Sequence, residues 1–402
     1  MFDSMKRLLP SRLTLAITLA MLFSICAFAS SVARSTKADG SHNISEAPRA
    51  QKRMTQLRHA RLARRSVHHR RHRSFERFYT SSFASDLTEG DVTAGEDPVV
   101  RQAALDALGN MNGTVVAIDP TSGRVLAMVN QKLALSGGAQ PCSTIKLSVA
   151  LAALNEHIIS RDTEVPLGRR YSMNLTAALA HSNNAYFESL GRRLGFEKVS
   201  YYAHQFGLGE LAGYNIDGEH VGVFPSEELG SKLGGVGKMC SFGESISMTP
   251  LQLGALVSAI ANGGTLYYLQ HPQSPVELTN FQPKIKRQLD IAPLIPEMRD
   301  GMAGAVLYGT ARSVRYSFSE EEVLGKTGTC SNNGTRYGWF ASYANTDYGR
   351  IVTVVFLQGG RPTFGPKAAE IAGRMYRNLY DHSFFTNASA RTDRAPAAAS
   401  AQ

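Results

Sequence analysis

Apolar positions along the chain follow helical spacing in some stretches and strand-like runs in others, and together they outline the folded region. Residues 98–108 (Pro-Val-Val-Arg-Gln-Ala-Ala-Leu-Asp-Ala-Leu) have helical apolar spacing, with proline at the start where its missing N–H costs nothing. Residues 114–118 and 125–129 are β-rich, and Asp119-Pro-Thr-Ser-Gly-Arg124 between them has the composition of a hairpin turn. A helix is predicted from Ser143 to Glu156, where Ile145, Leu147, Val149, Leu151 and Leu154 are apolar and neither Gly nor Pro intervenes. The stretch from 170 to 265 is mostly helical in pattern, with glycine-rich breaks. Strands over 337–343 and 350–357 then precede a closing helix over 367–380. Strands at both ends with helices between predict an α/β fold. Its antiparallel sheet is flanked by helices and interrupted by an inserted all-α lobe, with a cleft where the two meet.

The ends of the chain read differently. Lys6, Arg7 and Arg12 precede an apolar run from Leu13 to Phe23 that continues to Ala27, and Ala27-Phe28-Ala29 offers a small-x-small cleavage site. Residues 1–29 are therefore expected to be a signal peptide or membrane anchor, which places the body outside the cytoplasm, in the periplasm or cell envelope. The net charge of +10 is concentrated: residues 49–73 hold ten Lys/Arg and no acid, so the remainder is formally neutral. Nucleic acid is thus not an expected partner. Residues 30–93 read as a disordered basic linker, acting as a tether or touching anionic lipid or wall polymers, and 386–402 as a disordered tail. The folded domain is expected over 94–385. Apart from Cys26 in the leader, Cys142, Cys240 and Cys330 make an odd number for an oxidising compartment, so one thiol should be free. No spacing suggests a metal site, and no cofactor is expected.

Three short motifs carry candidate chemistry. Ser143-Thr-Ile-Lys146 is the one Ser-x-x-Lys, and at a helix start positions i and i+3 share a face, so the amine can reach the hydroxyl. For Lys146 to serve as a base, its pKa must fall from about 10.4 towards 7, which burial beside another cation such as Lys326 achieves. Alone, the motif equally describes a capping serine and a solvent lysine. Lys326-Thr-Gly-Thr329 is expected to form a strand at the cleft wall: Gly328 lets a ligand approach the backbone, while Lys326, Thr327 and Thr329 can hold a carboxylate. Ser-x-Asn occurs at Ser41, Ser172, Ser182 and Ser331. Ser41 lies in the leader and Ser331-Asn-Asn-Gly334 reads as a hairpin turn. Ser182-Asn-Asn184 is preferred over Ser172 because a helix begins immediately after it and the chain from 171 to 180 can return to Ser143.

Taken in order, these motifs resemble the serine β-lactamase and penicillin-binding superfamily over residues 97–382. The nearer likeness is to penicillin-binding transpeptidase domains. It rests on the 115–128 hairpin, Gly243-Glu-Ser-Ile-Ser-Met-Thr-Pro-Leu-Gln-Leu253, Ala261-Asn-Gly-Gly-Thr265, Gly309-Thr-Ala311 and Trp339-Phe-Ala-Ser-Tyr343. The resemblance implies acyl transfer from D-Ala-D-Ala stem peptides of peptidoglycan, with Ser143 as nucleophile and Lys146 as its base. Ser182 and Lys326 would relay the proton to the leaving amine, and Asn184 would orient the substrate. Backbone N–H groups of Ser143 and Thr329 would form the oxyanion hole, and β-lactams would act as acylating inhibitors. It also implies a Cys142–Cys330 disulfide, because certain carbapenem-hydrolysing relatives pair cysteines at matching places; Cys240 would stay free.

The sequence departs from the family in places. The Ser143–Ser182 interval is short, Asn183 stands where lactamases carry Asp, and the linker has no room for a glycosyltransferase domain or a large pedestal. D,D-carboxypeptidase, serine β-lactamase and a non-turnover penicillin sensor remain alternatives. A class A lactamase base is not evident: Glu210 is followed by Asn215, one residue too far, and Glu219 has no Asn partner.

Overall fold

The computed structural model describes residues 76–386 apart from Tyr348; the leader, the basic run and the C-terminal tail lie outside the described residues. Helix α1 (Pro98–Leu108) is capped by Asp97, whose carboxylate accepts from the Val99 and Val100 N–H groups. The hairpin β1 (Gly113–Asp119) and β2 (Arg124–Val129) turns at Asp119, which accepts from the Thr121 N–H, and at Gly123 with φ +76°. A one-turn helix α2 (Gln131–Ala134) leads to a 3-10 turn (Cys142–Ile145) and then α3 (Lys146–Asn155). The continuous helix expected from Ser143 is therefore tightened at its start, where the Thr144 hydroxyl donates to the Pro141 carbonyl at 2.7 Å.

The lobe comprises a small ribbon, β3 (Val165–Gly168) with β4 (Tyr171–Met173), and helices α4 (Leu175–Ala180), α5 (Asn184–Leu194), α6 (Phe196–Gln205) and α7 (Gly235–Phe242). It is thus mostly rather than wholly helical. The central α8 (Pro250–Asn262) starts with a Thr249/Gln252 capping box and is almost entirely buried. A second ribbon pairs β5 (Thr265–Tyr267) with β6 (Ile285–Gln288), the short α9 (Pro275–Thr279) lies between those strands in the chain, and α10 (Ile295–Leu307) follows. Strands β7 (Glu322–Asn332), β8 (Thr335–Thr346) and β9 (Gly349–Gly359) and helix α11 (Gly365–Asp381) complete the domain. Only Asn333 and Gly334, both at positive φ, form the β7–β8 turn; Ser331 and Asn332 belong to the strand.

The main sheet runs β2-β1-β9-β8-β7, with antiparallel neighbours. It is buried on both faces, and strand alternation sorts the residues. Val116, Ile118, Trp339, Val354 and Phe356 join the core under the lobe and α8, whereas Val115, Ala117, Phe340, Val355 and Leu357 join the core under α1 and α11. Gly254 lets α8 touch the sheet, since a Cβ there would meet Ile118 Cδ1 at 2.5 Å.

Residues 76–93, which composition assigns to the linker, are hydrogen-bonded to this body. Asp91 accepts from the Asn130 and Gln131 N–H groups and from Arg101 at 2.6 Å, and Ser82 Oγ accepts from the Gly360 N–H at 2.7 Å. A buried carboxylate and backbone pairing anchor this strap, so its sequence shows no apolar period. Among the described residues no helix is long and apolar enough to cross a membrane.

Candidate active site

Ser143 lies in the 3-10 turn, and Lys146 opens α3 one turn later, pointing back to it. The Lys146 side chain is fully buried. Its Nζ lies 3.0 Å from Ser143 Oγ, 2.8 Å from the Ser182 carbonyl oxygen, 3.1 Å from Ser182 Oγ and 2.6 Å from Asn184 Oδ1. A neutral amine has two N–H donors and one lone pair. The two acceptor-only oxygens, Ser182 O and Asn184 Oδ1, take the donors, which leaves the lone pair facing the hydroxyls of Ser143 and Ser182. Burial, reinforced by the nearby Lys326 charge and opposed by Glu188, lowers the Lys146 pKa to about 6. The amine is therefore mostly unprotonated at neutral pH and can accept a proton from either hydroxyl.

Lys326 approaches from the sheet. It is fully buried on β7 and donates to Ser182 Oγ at 2.8 Å and to the Thr327 carbonyl at 3.0 Å; burial lowers its pKa to about 7. Ser182 Oγ thus sits between two amines. Alternate residues of β7 face opposite ways. Lys326 and Cys330 meet Ser182 and Cys142, while Thr327 donates to Thr310 Oγ1 at 2.6 Å and Thr329 Oγ1 accepts from the Gly365 N–H at 2.8 Å. The Thr329 hydroxyl proton is not used in that last bond and remains available to a ligand. Gly328 also has a packing role that its sequence does not suggest. A Cβ there would meet the Pro141 carbonyl oxygen at 2.9 Å and Thr144 Cγ2 at 3.2 Å, so glycine lets β7 press against the turn carrying Ser143.

Two non-glycine residues beside the site hold left-handed backbones, Cys142 (φ +52°) and Ser182 (φ +55°). Such residues cost of order 1–3 kcal/mol and persist where the surroundings over-determine them. Cys142 is fixed by a disulfide to Cys330 (Cα–Cα 5.5 Å), which ties the Ser143 turn to β7, while Cys240 is a buried free thiol. Ser182 is fixed by its bonds to both lysines and by Asn183, which caps α5 through the Tyr186 N–H. Among the other Ser-x-Asn positions, Ser172 is exposed on β4, Ser331 lies next to the last residue of β7, and Ser41 lies outside the described residues. Ser143, Ser182, Asn184 and Thr329 are partly exposed around the two buried amines, so a ligand can reach them. No group of side chains able to hold a metal ion occurs among the described residues.

The penicillin-binding protein transpeptidase domain model matches residues 113–380. The chain belongs to the penicillin-binding transpeptidase family. It is 28% identical over 316 residues to stage V sporulation protein D of Bacillus subtilis, covering 65% of this chain and 48% of that protein. It is 24% identical over 366 residues to peptidoglycan D,D-transpeptidase MrdA of Acinetobacter baumannii, covering 71% and 53%. The chain therefore spans about half the length of these curated relatives. Its fold matches a peptidoglycan glycosyltransferase structure from Burkholderia ambifaria (TM-score 0.61, 19% identity, covering 73% of this chain and 98% of that one). It also matches Pseudomonas aeruginosa PBP2 in complex with WCK 5153 (TM-score 0.59, 23% identity, 72% and 77%).

Within this transpeptidase domain several contacts escaped the sequence. Thr310 braces Thr327, the Phe187 ring centroid lies 5.4 Å from Lys146 Nζ, and Trp339 Nε1 donates to the Gln140 carbonyl at 3.0 Å, fixing the approach to Ser143. Gly301, Gly304 and Gly309 let the Ser182-bearing segment pack on α10: Cβ atoms there would meet Leu179 at 2.8 Å, Ala180 Cβ at 3.2 Å and the Ala180 carbonyl oxygen at 2.1 Å. The two glutamates weighed as a lactamase base are otherwise engaged. Glu210 pairs with Lys286 and Arg287, and Glu219 accepts from the Ala212 and Gly213 N–H groups.

Proposed function

We propose that this chain is an exported serine D,D-transpeptidase acting on D-Ala-D-Ala stem peptides of peptidoglycan. The observation that carries the reading is the buried Lys146 amine, 3.0 Å from Ser143 Oγ and 3.1 Å from Ser182 Oγ, with Lys326 on the far side of Ser182 at 2.8 Å. Lys146 takes the Ser143 proton as Oγ attacks the carbonyl between the two D-alanines. The oxyanion is held by the backbone N–H groups of Ser143 and Thr329, each such donor worth roughly 3 kcal/mol. Ser182, flanked by both lysines, passes a proton to the departing amine of D-alanine, leaving the acyl group on Ser143. An incoming amine then attacks the ester and gives up its proton along the same path, and Ser143 recovers its own.

In this reading Asn184 aligns the peptide while accepting from Lys146, and Lys326, Thr327, Gly328 and Thr329 receive the terminal carboxylate. Strand β7 is at the sheet edge, where alternate backbone groups are free to pair with an extended ligand. β-Lactams acylate Ser143 by the same route. The engagement of Glu210 and Glu219 elsewhere favours slow hydrolysis of that adduct over lactamase turnover. Residues 1–29 direct the domain to the cell envelope, and the basic run at 49–73 contacts anionic lipid or wall polymer. Incubation with a D-Ala-D-Ala-terminated pentapeptide, with and without an amine acceptor, tests the proposal. Release of D-alanine with acceptor incorporation is expected. Release without incorporation makes the protein a carboxypeptidase, and no release overturns the reading.

A further inference from the structure

Two exposed rings meet at the edge of the site. His181 immediately precedes Ser182 and is exposed, and Tyr308, which follows α10, is 52% exposed. Their ring centroids are 5.7 Å apart at 50°. The backbone beneath them is tightly joined. The Thr310 N–H donates to the Ala180 carbonyl at 3.1 Å, the Tyr308 and Gly309 N–H groups both donate to Gly304 O, and Gly309 has no room for a Cβ against Ala180. Two residues after Tyr308, Thr310 bonds Thr327 of β7. The ring pair therefore joins the segment that carries Ser182 to the one that braces the Lys326–Thr329 strand. The phenol end of Tyr308 lies over Gly304, where a Cβ would meet its Oη at 2.5 Å, so this glycine admits the ring at the rim while the backbones beneath both rings stay joined.

The position relative to the reaction follows from the proton path, and so rests on the function proposed above. Ser182 hands the proton to the departing amine, so that nitrogen lies beside Ser182. By microscopic reversibility the attacking amine arrives where the first one left. The residue before Ser182 and the ring tilted against it flank that approach. We infer that His181 and Tyr308 form the acceptor-binding edge of the site, selecting the amine-bearing D-amino acid end of a second stem peptide. The ring faces cover its aliphatic part, and the imidazole N–H and phenol O–H donate to the carboxylate next to the amine.

The test separates acceptor capture from acylation. The full protein and its His181→Ala, Tyr308→Ala and Tyr308→Phe variants are acylated with a thioester donor in the presence of D-alanine, and the ratio of aminolysis to hydrolysis is measured. Benzylpenicillin acylation is followed in parallel. Both alanine variants should lower the ratio about three- to tenfold, as expected for losing one aromatic or hydrogen-bonding contact, with penicillin acylation within about twofold of the parent. Tyr308→Phe should fall between, keeping the ring and losing the hydroxyl. An unchanged ratio with acylation intact overturns this inference alone, as does an equal fall in ratio and acylation. Absence of acylation in the parent protein overturns the proposed function with it.

Discussion

Replacing Lys146 with methionine keeps most of the side-chain volume and removes the titrating group, and the consequence can be worked out as a pH dependence of stability. In the unfolded chain a lysine holds its proton up to about pH 10.4. In the folded protein Lys146 loses it at about 6 and Lys326 at about 7. Between those values the unfolded state binds more protons than the folded one, so stability rises with pH, by about 1.4 kcal/mol per pH unit for each lysine. From pH 7.5 to 8.5 the ordinary histidine range has passed. The buried Cys240 thiol, pushed up by burial, opposes the trend only once unfolded thiols ionise at about 8.5–9 and above. The parent protein should therefore gain about 3 kcal/mol across that unit and Lys146→Met about half as much. Lys146→Met/Lys326→Met should gain almost nothing. Absolute stability is a poorer readout, because methionine leaves Ser182 O and Asn184 Oδ1 without their donor, at about 1–3 kcal/mol each. Denaturant unfolding at the two pH values, with the disulfide intact, gives the slope directly. A flat or falling parent profile, or an unchanged slope in Lys146→Met, would refute the claim that these amines are buried and neutral.

Three further outcomes follow from the same geometry. Acylation by an anionic β-lactam, measured by stopped-flow, should rise as Lys146 deprotonates through about 6 and fall as Lys326 loses its carboxylate-binding charge above about 7; a rate still climbing at pH 9 would contradict it. Ser182→Ala should fold normally yet slow acylation by about 10²–10⁴, the usual contribution of a positioned proton-transfer group. Gly328→Ala should cost about 1–3 kcal/mol of stability and most acylation, because its Cβ meets the backbone at Pro141; wild-type melting and labelling would disprove that packing argument.

Much of the scaffold is legible from residue pattern alone. The β1, β8 and β9 runs combine β-branched and aromatic residues, and both cores draw on their alternate faces. Helices α1 and α11 show their apolar stripes plainly. What the sequence hides is held by backbone and by absent side chains. The strap at 76–93 is pinned by Asp91 and main-chain bonds, with no apolar period to read. The α10 glycines look like helix weaknesses in a sequence, and only their neighbours show that they admit Leu179 and Ala180. Ser-x-x-Lys says that a hydroxyl and an amine can meet. That the amine is dry, shares its lone pair between two serines and faces a second buried lysine depends on residues 36 and 180 positions along the chain.

The most direct test is intact-mass analysis and peptide mapping after exposure to benzylpenicillin. The account requires one covalent penicilloyl adduct per chain, located on Ser143, persisting over many minutes and absent from Ser143→Ala. No adduct, or an adduct on any other residue, would contradict it.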